Sequence, residues 1–190
     1  MKIAFCGASG TGKTTLTDWV QEIYRLDFNP VGSRSVAKAM GFDSPYDVDK
    51  AGKRAEFQQR LLDDKVGWEA GRESFVTDRT PLDNLLYTSL HDVYSITEAQ
   101  IDKALEHTRS YDLVFYTPLS AFINTAGDKD RAADQSYHRV YDMAMCGFLE
   151  RTFGTTTAFL GGLRQLHLTG LEERKEYISD AISAFTERES

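Results

Sequence analysis

Eight consecutive residues near the start of the chain, Gly7-Ala8-Ser9-Gly10-Thr11-Gly12-Lys13-Thr14, follow the pattern G-x-x-x-x-G-K-S/T. Glycines at these spacings let the backbone curl until successive N–H groups converge on one anion. A helix opening at the end of the pattern adds the positive end of its dipole. The Lys13 ammonium would bridge the outer phosphates of a nucleoside triphosphate such as ATP. The Thr14 hydroxyl would face Mg2+, which binds through few protein oxygens and shares its remaining ligands with phosphate and water. Thr15, the next helical residue, is a second hydroxyl for the same task.

A second group lies in the segment Phe75-Val76-Thr77-Asp78-Arg79-Thr80-Pro81-Leu82-Asp83. Its apolar start reads as a buried strand, which sets Asp78 and Arg79 at the C-terminal end, the edge of a parallel sheet where ligands bind. A carboxylate there can hold metal-bound water or accept a hydroxyl proton. A guanidinium can engage two phosphate oxygens at once and keep its charge. A structural salt bridge within the pair is the alternative. The D-x-x-G and N-K-x-D elements of switch GTPases are missing after any strand, which leaves kinases and mechanical ATPases.

Elements must carry these groups to one place. Ile3 to Cys6 is a short apolar run ending in the glycine-rich turn, as a strand covered on both faces would read. Leu16, Trp19, Val20, Ile23 and Tyr24 follow at helical period and predict a helix packed on the sheet. A short strand and the breaker Asn29-Pro30 occupy residues 26–34, then a helical stretch runs to Gly41. After the turn Asp43-Ser44-Pro45, residues 51–72 predict a helix bearing Phe57, Leu61, Leu62, Val66 and Trp68. Thr97 and Gln100 form a capping box, with Ile96 and Ile101 placed for a hydrophobic staple. A strand at residues 113–116 and a helix over 130–153, with Tyr137, Tyr141, Ala144 and Phe148 inward, come next. Gly161-Gly162 reads as a turn before a strand over 165–168 and a helix over 171–185. Strands alternating with helices imply an α/β fold on a parallel sheet of about five strands.

The 190 residues, 41% hydrophobic, suffice for one sizeable core, so a single domain over 1–190 is expected. A net charge of −7 argues against a broad electrostatic footprint for duplex nucleic acid, so an anionic ligand must be met locally. Cys6 and Cys146 form no metal-ligand pair and suit a reduced, cytoplasmic protein. No apolar run of membrane-spanning length occurs, and the first one is too short for a secretory leader, so no membrane partner is expected. His91, His107, His138 and His167 share no metal-ligand spacing and receive no role.

The glycine-rich loop, the Asp78-Arg79 pair and the segment ending in Arg174 together resemble the group of P-loop kinases that holds the deoxynucleoside, thymidylate and nicotinamide-riboside kinases. The resemblance covers most of the chain in scattered motifs. It implies the P-loop NTPase fold with a helical lid, ATP and Mg2+ as cofactors, and in-line phosphoryl transfer. It implies that Asp78 is a catalytic or metal-linked carboxylate and that Arg79 faces phosphate. Phe57-Gln58 is similar to the pair by which deoxynucleoside kinases orient the base, which makes Gln58 the base reader, with Gln59 competing and a solvated glutamine as the plain alternative. The stretch Gly127-Asp128-Lys129-Asp130-Arg131 resembles the lid, expected over about 124–140, with Arg131 closing over the phosphoryl group and Lys129 and Arg139 in reserve. A solvated helix start is the alternative there. In this group the region from Gly170 to Arg174 borders adenine.

One departure shapes the acceptor. Asn29-Pro30 stands where the group often has Glu-Pro, so the usual carboxylate base is missing. An acceptor phosphate is already ionised and needs alignment more than a base. The expectation is therefore a nucleoside monophosphate, a deoxynucleotide such as dTMP or a modified pyrimidine, whose phosphate Arg34 would bind. A nucleoside or nicotinamide-riboside kinase with Asp78 as base, and a kinase of hydroxymethylated bases in DNA, are the alternatives of the same chemistry. A nucleotide-gated regulatory ATPase is the alternative of another class. Homodimerisation follows from the resemblance alone.

Overall fold

The computed structural model of the protein describes residues 1–119, 135–154 and 162–189. Strands β1 (Lys2–Cys6), β2 (Asp27–Phe28), β3 (Phe75–Asp78), β4 (Leu113–Tyr116) and β5 (Leu163–Gln165) form one sheet in the order β2-β3-β1-β4-β5. Every neighbouring pair is parallel. Among the described residues the helices are α1 (Lys13–Tyr24), α2 (Ser33–Ala39), α3 (Pro45–Lys50), α4 (Arg54–Glu69), α5 (Pro81–Asp92), α6 (Glu98–Arg109), α7 (Gln135–Phe153) and α8 (Leu171–Glu189).

A parallel sheet needs cover on both faces, which is why its strands read as unbroken apolar runs. Along β1 the alternation is visible. Ala4 and Cys6 pack with Leu82 and Leu86 of α5 and Tyr141, Met145 and Leu149 of α7. Ile3 and Phe5 face the other way, against Leu16 and Val20 of α1 and Ile178 and Ile182 of α8. A smaller cluster, Val36, Ala37, Val48 and Phe57, joins α2, α3 and α4 beside the sheet. The register sets Phe5 opposite both Asp78 and Phe115, so β1, β3 and β4 end level and the loops after them meet at one edge.

The capping box that opens α6 is formed in both directions. Gln100 N donates to Thr97 Oγ1 at 3.2 Å, and Thr97 N donates to Gln100 Oε1 at 2.7 Å. Other expectations need correction. Ile23 is 56% exposed, because α1 rolls to bury Thr17 beside Leu16 and Val20. Helices α3 and α5 were not foreseen. Ser44 caps a short helix where a turn was expected, accepting from Asp47 N. Pro81, whose missing N–H costs nothing in a first turn, opens α5. In α7 the inward line is His138, Tyr141, Met145 and Leu149, while Ala144 and Phe148 are half-buried at its flank.

The last strand runs over Leu163–Gln165 rather than 165–168, because Gly162 fixes its start. Val114 N donates to Gly162 O at 2.7 Å, and a Cβ on Gly162 would lie 1.7 Å from Asp112 O. Only a residue without a side chain lets the two strands approach. Gly162→Ala is therefore expected to lower unfolding free energy by about 2–3 kcal/mol, the cost of overpacking a tight site. Gly67→Ala, in α4 with nothing within 4 Å of the added carbon, is expected to raise it by about 0.5–1 kcal/mol. Urea denaturation of the two variants beside the parent checks both signs.

Candidate active site

The glycine-rich loop lies on the end of β4. Gly7 has φ +129°, and a Cβ there would meet Thr117 O at 2.4 Å, so the approach itself demands glycine. The buried Thr11 hydroxyl donates to Ala8 O at 3.0 Å and lies 2.7 Å from Thr117 Oγ1, which donates to Cys6 O. From α8, Arg174 Nη1 donates to Thr11 O at 2.8 Å and Nε to Leu168 O at 2.7 Å. The other terminal nitrogen, Nη2, is buried without a partner among the described residues. Lys13 Nζ donates to Ala8 O at 2.5 Å and is 4% exposed. Burial, helped by the charge of Arg79 and opposed by Asp78 and Asp83, pulls its pKa down to about 8.

At the end of β3 the two groups of the Asp78-Arg79 pair go different ways. Thr14 Oγ1 donates to Asp78 Oδ2 at 2.7 Å, while Asp78 Oδ1 is buried and has no partner among the described residues. A threonine hydroxyl, a bound carboxylate oxygen and an orphaned one form an all-oxygen donor set that fits a hard divalent cation such as Mg2+. Arg79, in the left-handed region at φ +79°, turns its guanidinium onto the loop. It donates to Gly7 O at 3.2 Å, Ser9 Oγ at 3.0 Å and Asp83 Oδ1 at 3.1 Å, and lies over the Tyr87 ring. Burial opposes its charge, but Tyr87, Tyr141, Asp83 and Asp78 outweigh burial and hold its pKa well above the ordinary arginine value. The salt bridge of Arg79 is thus to Asp83, not to Asp78.

Two cavities adjoin here, with Ser9, Pro30, Asp78 and Arg79 in both walls. One, of about 610 Å3, is lined by Gly10, Gly12, Lys13, Thr14 and Thr15 together with Arg34. The other, of about 570 Å3, is lined by the rings of Phe28, Tyr46, Phe57, Tyr87 and Tyr137 and by His91 and His138. Gln58 and Asn84 face it too, as neighbours: Asn84 Nδ2 donates to Gln58 Oε1 at 2.8 Å. That bond leaves the Gln58 amide N–H and the Asn84 carbonyl as an adjacent donor and acceptor, complementary to the edge of a nucleobase or a carboxamide.

The structure therefore brings Lys13, Thr14, Thr15, Arg34, Asp78, Arg79 and the loop residues Gly7 to Gly12 to one edge, with Gln58 across the second cavity. Gln58 is buried rather than solvated, and Gln59 is turned away to Asp63 and Gln100. Arg34 stands on the phosphate-loop side, not among the aromatic rings. Arg131 and Lys129, and the lid up to residue 134, lie outside the described residues. Asp83, Asn84, Tyr87 and Tyr141 were not foreseen as site residues. Asp83 and Tyr87, four residues apart on α5, would have signalled one helical face had that helix been read.

A family model described as an AAA domain matches residues 2–153. No curated protein matches the chain. Similar solved structures include deoxyadenosine kinase from M. mycoides with products dCMP and a flexible dCDP bound. It is 16% identical with a TM-score of 0.67, over 97% of this chain and 100% of that one. Shikimate kinase from Acinetobacter baumannii in complex with shikimate is 14% identical with a TM-score of 0.61, over 98% of this chain and 93% of that one. NadR protein in complex with NR is 15% identical with a TM-score of 0.65, over 97% of this chain and 51% of that one. At these identities the likeness establishes the fold, that of the P-loop kinases.

The lowered pKa of Lys13 gives a directional test. Above pH 8 the free protein has largely released this proton, whereas phosphates around the ammonium favour the charged form, so binding a triphosphate takes a proton up. Affinity for ATP is expected to fall by up to about tenfold per pH unit between pH 8 and about 10. Calorimetry in buffers of different ionisation enthalpy checks the proton uptake. Lys13→Arg, which does not titrate in that range, is expected to flatten the dependence.

Proposed function

We propose that this chain, which belongs to the AAA domain family, is an ATP-dependent kinase that transfers the terminal phosphoryl group of ATP to a small nucleoside-class acceptor. The observation that carries this reading is the wall shared by the two cavities. Asp78 and Arg79 stand between a phosphate-binding loop and an aromatic chamber whose amide pair matches a base edge. Similar structures named deoxyadenosine kinase, shikimate kinase and NadR with NR support a small-molecule acceptor.

The loop N–H groups and Lys13 would hold the donor phosphates. Arg79, braced by Asp83, would hold positive charge beside the equatorial oxygens of the transferring group. Mg2+, held through Thr14 and Asp78, would supply charge neutralisation on the phosphates. The acceptor oxygen forms a bond to the terminal phosphorus as the bond to the ADP oxygen breaks.

For the acceptor, a nucleoside monophosphate such as dTMP or a modified pyrimidine deoxynucleotide is the first reading. Asn29 offers no carboxylate, and its amide is engaged by Glu69 and by Val31 N. Arg34, beside the loop, would take the acceptor phosphate. A second reading, a nucleoside hydroxyl with Asp78 as base, is favoured by the charge balance of the aromatic chamber. Its cations Arg54, Lys65 and Arg79 each lie within 3.6 Å of a carboxylate, Asp49, Glu69 and Asp83 respectively.

Incubation with ATP and Mg2+ and a panel of nucleosides, deoxynucleotides, nicotinamide riboside and hydroxymethylated DNA distinguishes these. The expected result is acceptor-dependent ADP release, with a product heavier by one phosphoryl group and no signal from Lys13→Ala. ADP release indifferent to every acceptor would replace the kinase reading with a regulatory ATPase. With the competent acceptor, Asp78→Asn is expected to lower kcat by about a hundredfold or more.

A further inference from the structure

The least expected group in the interior is a carboxylate that touches neither cavity. Glu69, at the end of α4, has no exposed side-chain surface and gathers four partners, Asn29 just after β2, Lys65 on its own helix, His107 of α6 and Tyr111 just before β4. Asn29 Nδ2 donates to its Oε1 at 2.7 Å, and Lys65 Nζ lies 3.6 Å from the same oxygen. His107 Nε2 and Tyr111 OH donate to Oε2 at 2.6 and 2.7 Å. Burial alone would raise this carboxyl, but the His107 bond, the charge of Lys65 and the bonds from Tyr111 and Asn29 outweigh burial and hold it below its usual range.

From Glu69 the contacts run toward the Asp78-Arg79 turn. Lys65 Nζ donates to Thr77 Oγ1 at 2.5 Å and comes within 3.5 Å of Asp78 O. The Thr77 hydroxyl donates in turn to Arg79 O at 3.5 Å. Thr77, Asp78 O and Glu69 together supply an acceptor for each of the three Lys65 N–H groups, which directs this ammonium to the scaffold rather than to a ligand.

The turn is the place that needs such support. Arg79 sits at φ +79°, a conformation that a residue with a Cβ keeps only where its surroundings over-determine it. Arg79 N donates to Phe5 O at 2.7 Å and fixes the turn to β1. The Lys65–Thr77 contacts fix it from α4.

We propose that Glu69 and Lys65 are positioning residues for phosphoryl transfer, holding through Thr77 the strained turn that aims the Asp78 carboxylate at Thr14 and the Arg79 guanidinium at the loop. This rests on the reading of Asp78 and Arg79 as the reacting pair. Neither positioning residue lines the cavity over the glycine-rich loop, so their removal is expected to change the rate of transfer rather than the binding of ATP.

The test is steady-state kinetics of the full chain with ATP, Mg2+ and its acceptor for Glu69→Gln, Thr77→Val, the double variant and Asp78→Asn, with thermal unfolding of each. Glu69→Gln and Thr77→Val are each expected to lower kcat by about tenfold or more, as small displacements of reacting groups do, with both KM values within about twofold of the parent. The double variant is expected to lose no more than the worse single one, because both act through one chain of contacts. Retained kcat in Thr77→Val or in folded Glu69→Gln, or losses that multiply, would overturn the proposal. If Glu69→Gln does not fold, Thr77→Val, which keeps the side-chain shape, decides alone. Parent-like turnover in Asp78→Asn would remove the reacting-pair reading itself, whereas loss there with full turnover in Thr77→Val removes only this proposal.

Discussion

A single buried carboxylate, Asp83, ties the site together. It is 1% exposed, and its oxygens accept from Thr80 N and Thr80 Oγ1, from Tyr141 OH, from Arg79 Nη1 and, at 3.4 Å, from Gly7 N. Those partners belong to the start of α5, to α7, to the β3 turn and to the glycine-rich loop. A buried charge stripped of its partner costs about 3–5 kcal/mol, so each element is held where the others need it. The loop's position and the direction of the Arg79 guanidinium are therefore one decision rather than two.

The same logic recurs on the other side of β3. Lys65 pairs with Glu69 and Arg54 with Asp49, so the wall of the aromatic chamber carries charge that is answered within the protein. Burial holds the pKa of Lys65 below the ordinary lysine value, against the opposing charges of Glu69, Asp78 and Asp83. What then lines the chamber is largely apolar, the rings of Phe28, Tyr46, Phe57, Tyr87 and Tyr137 among it, with the Gln58–Asn84 amide pair at one side. Rings supply area, and the paired amides supply orientation, since a buried amide left without a partner is costly. The loop side is the opposite case, mostly polar, with glycines, Lys13, Arg34 and the hydroxyls of Ser9, Thr14, Thr15, Ser33 and Ser35.

Parts of this arrangement are legible in the sequence because they are contiguous. The glycine-rich loop between an apolar run and an amphipathic helix, the Asp78-Arg79 pair after a strand, and the α6 capping box each depend on neighbours within a few residues. Helix α5 was missed, because Leu82, Leu85 and Leu86 bury one face while Asp83, Asn84 and Thr88 are buried too. A helix with polar residues on its inner face hides its period. The inward face of α7 was misjudged for the same reason, since His138 lies inward among apolar neighbours. Lys65 and Glu69, four residues apart, have the spacing of an ordinary helix-surface ion pair, and no local pattern says that such a pair is sealed inside.

The sequence alone determined the α/β alternation, the glycine-rich loop between strand and helix and the strand-end position of Asp78 and Arg79, because hydrophobic period and glycine spacing act over short stretches of chain. Tertiary structure decided which carboxylate Arg79 pairs with, that Gln58 meets Asn84, and that Glu69 lies at the end of a path to the β3 turn. Those contacts join residues on different elements. Their strength depends on burial, which lowers the local dielectric and makes an unmet partner costly, and burial depends on the whole packed sheet and its helices rather than on any one segment.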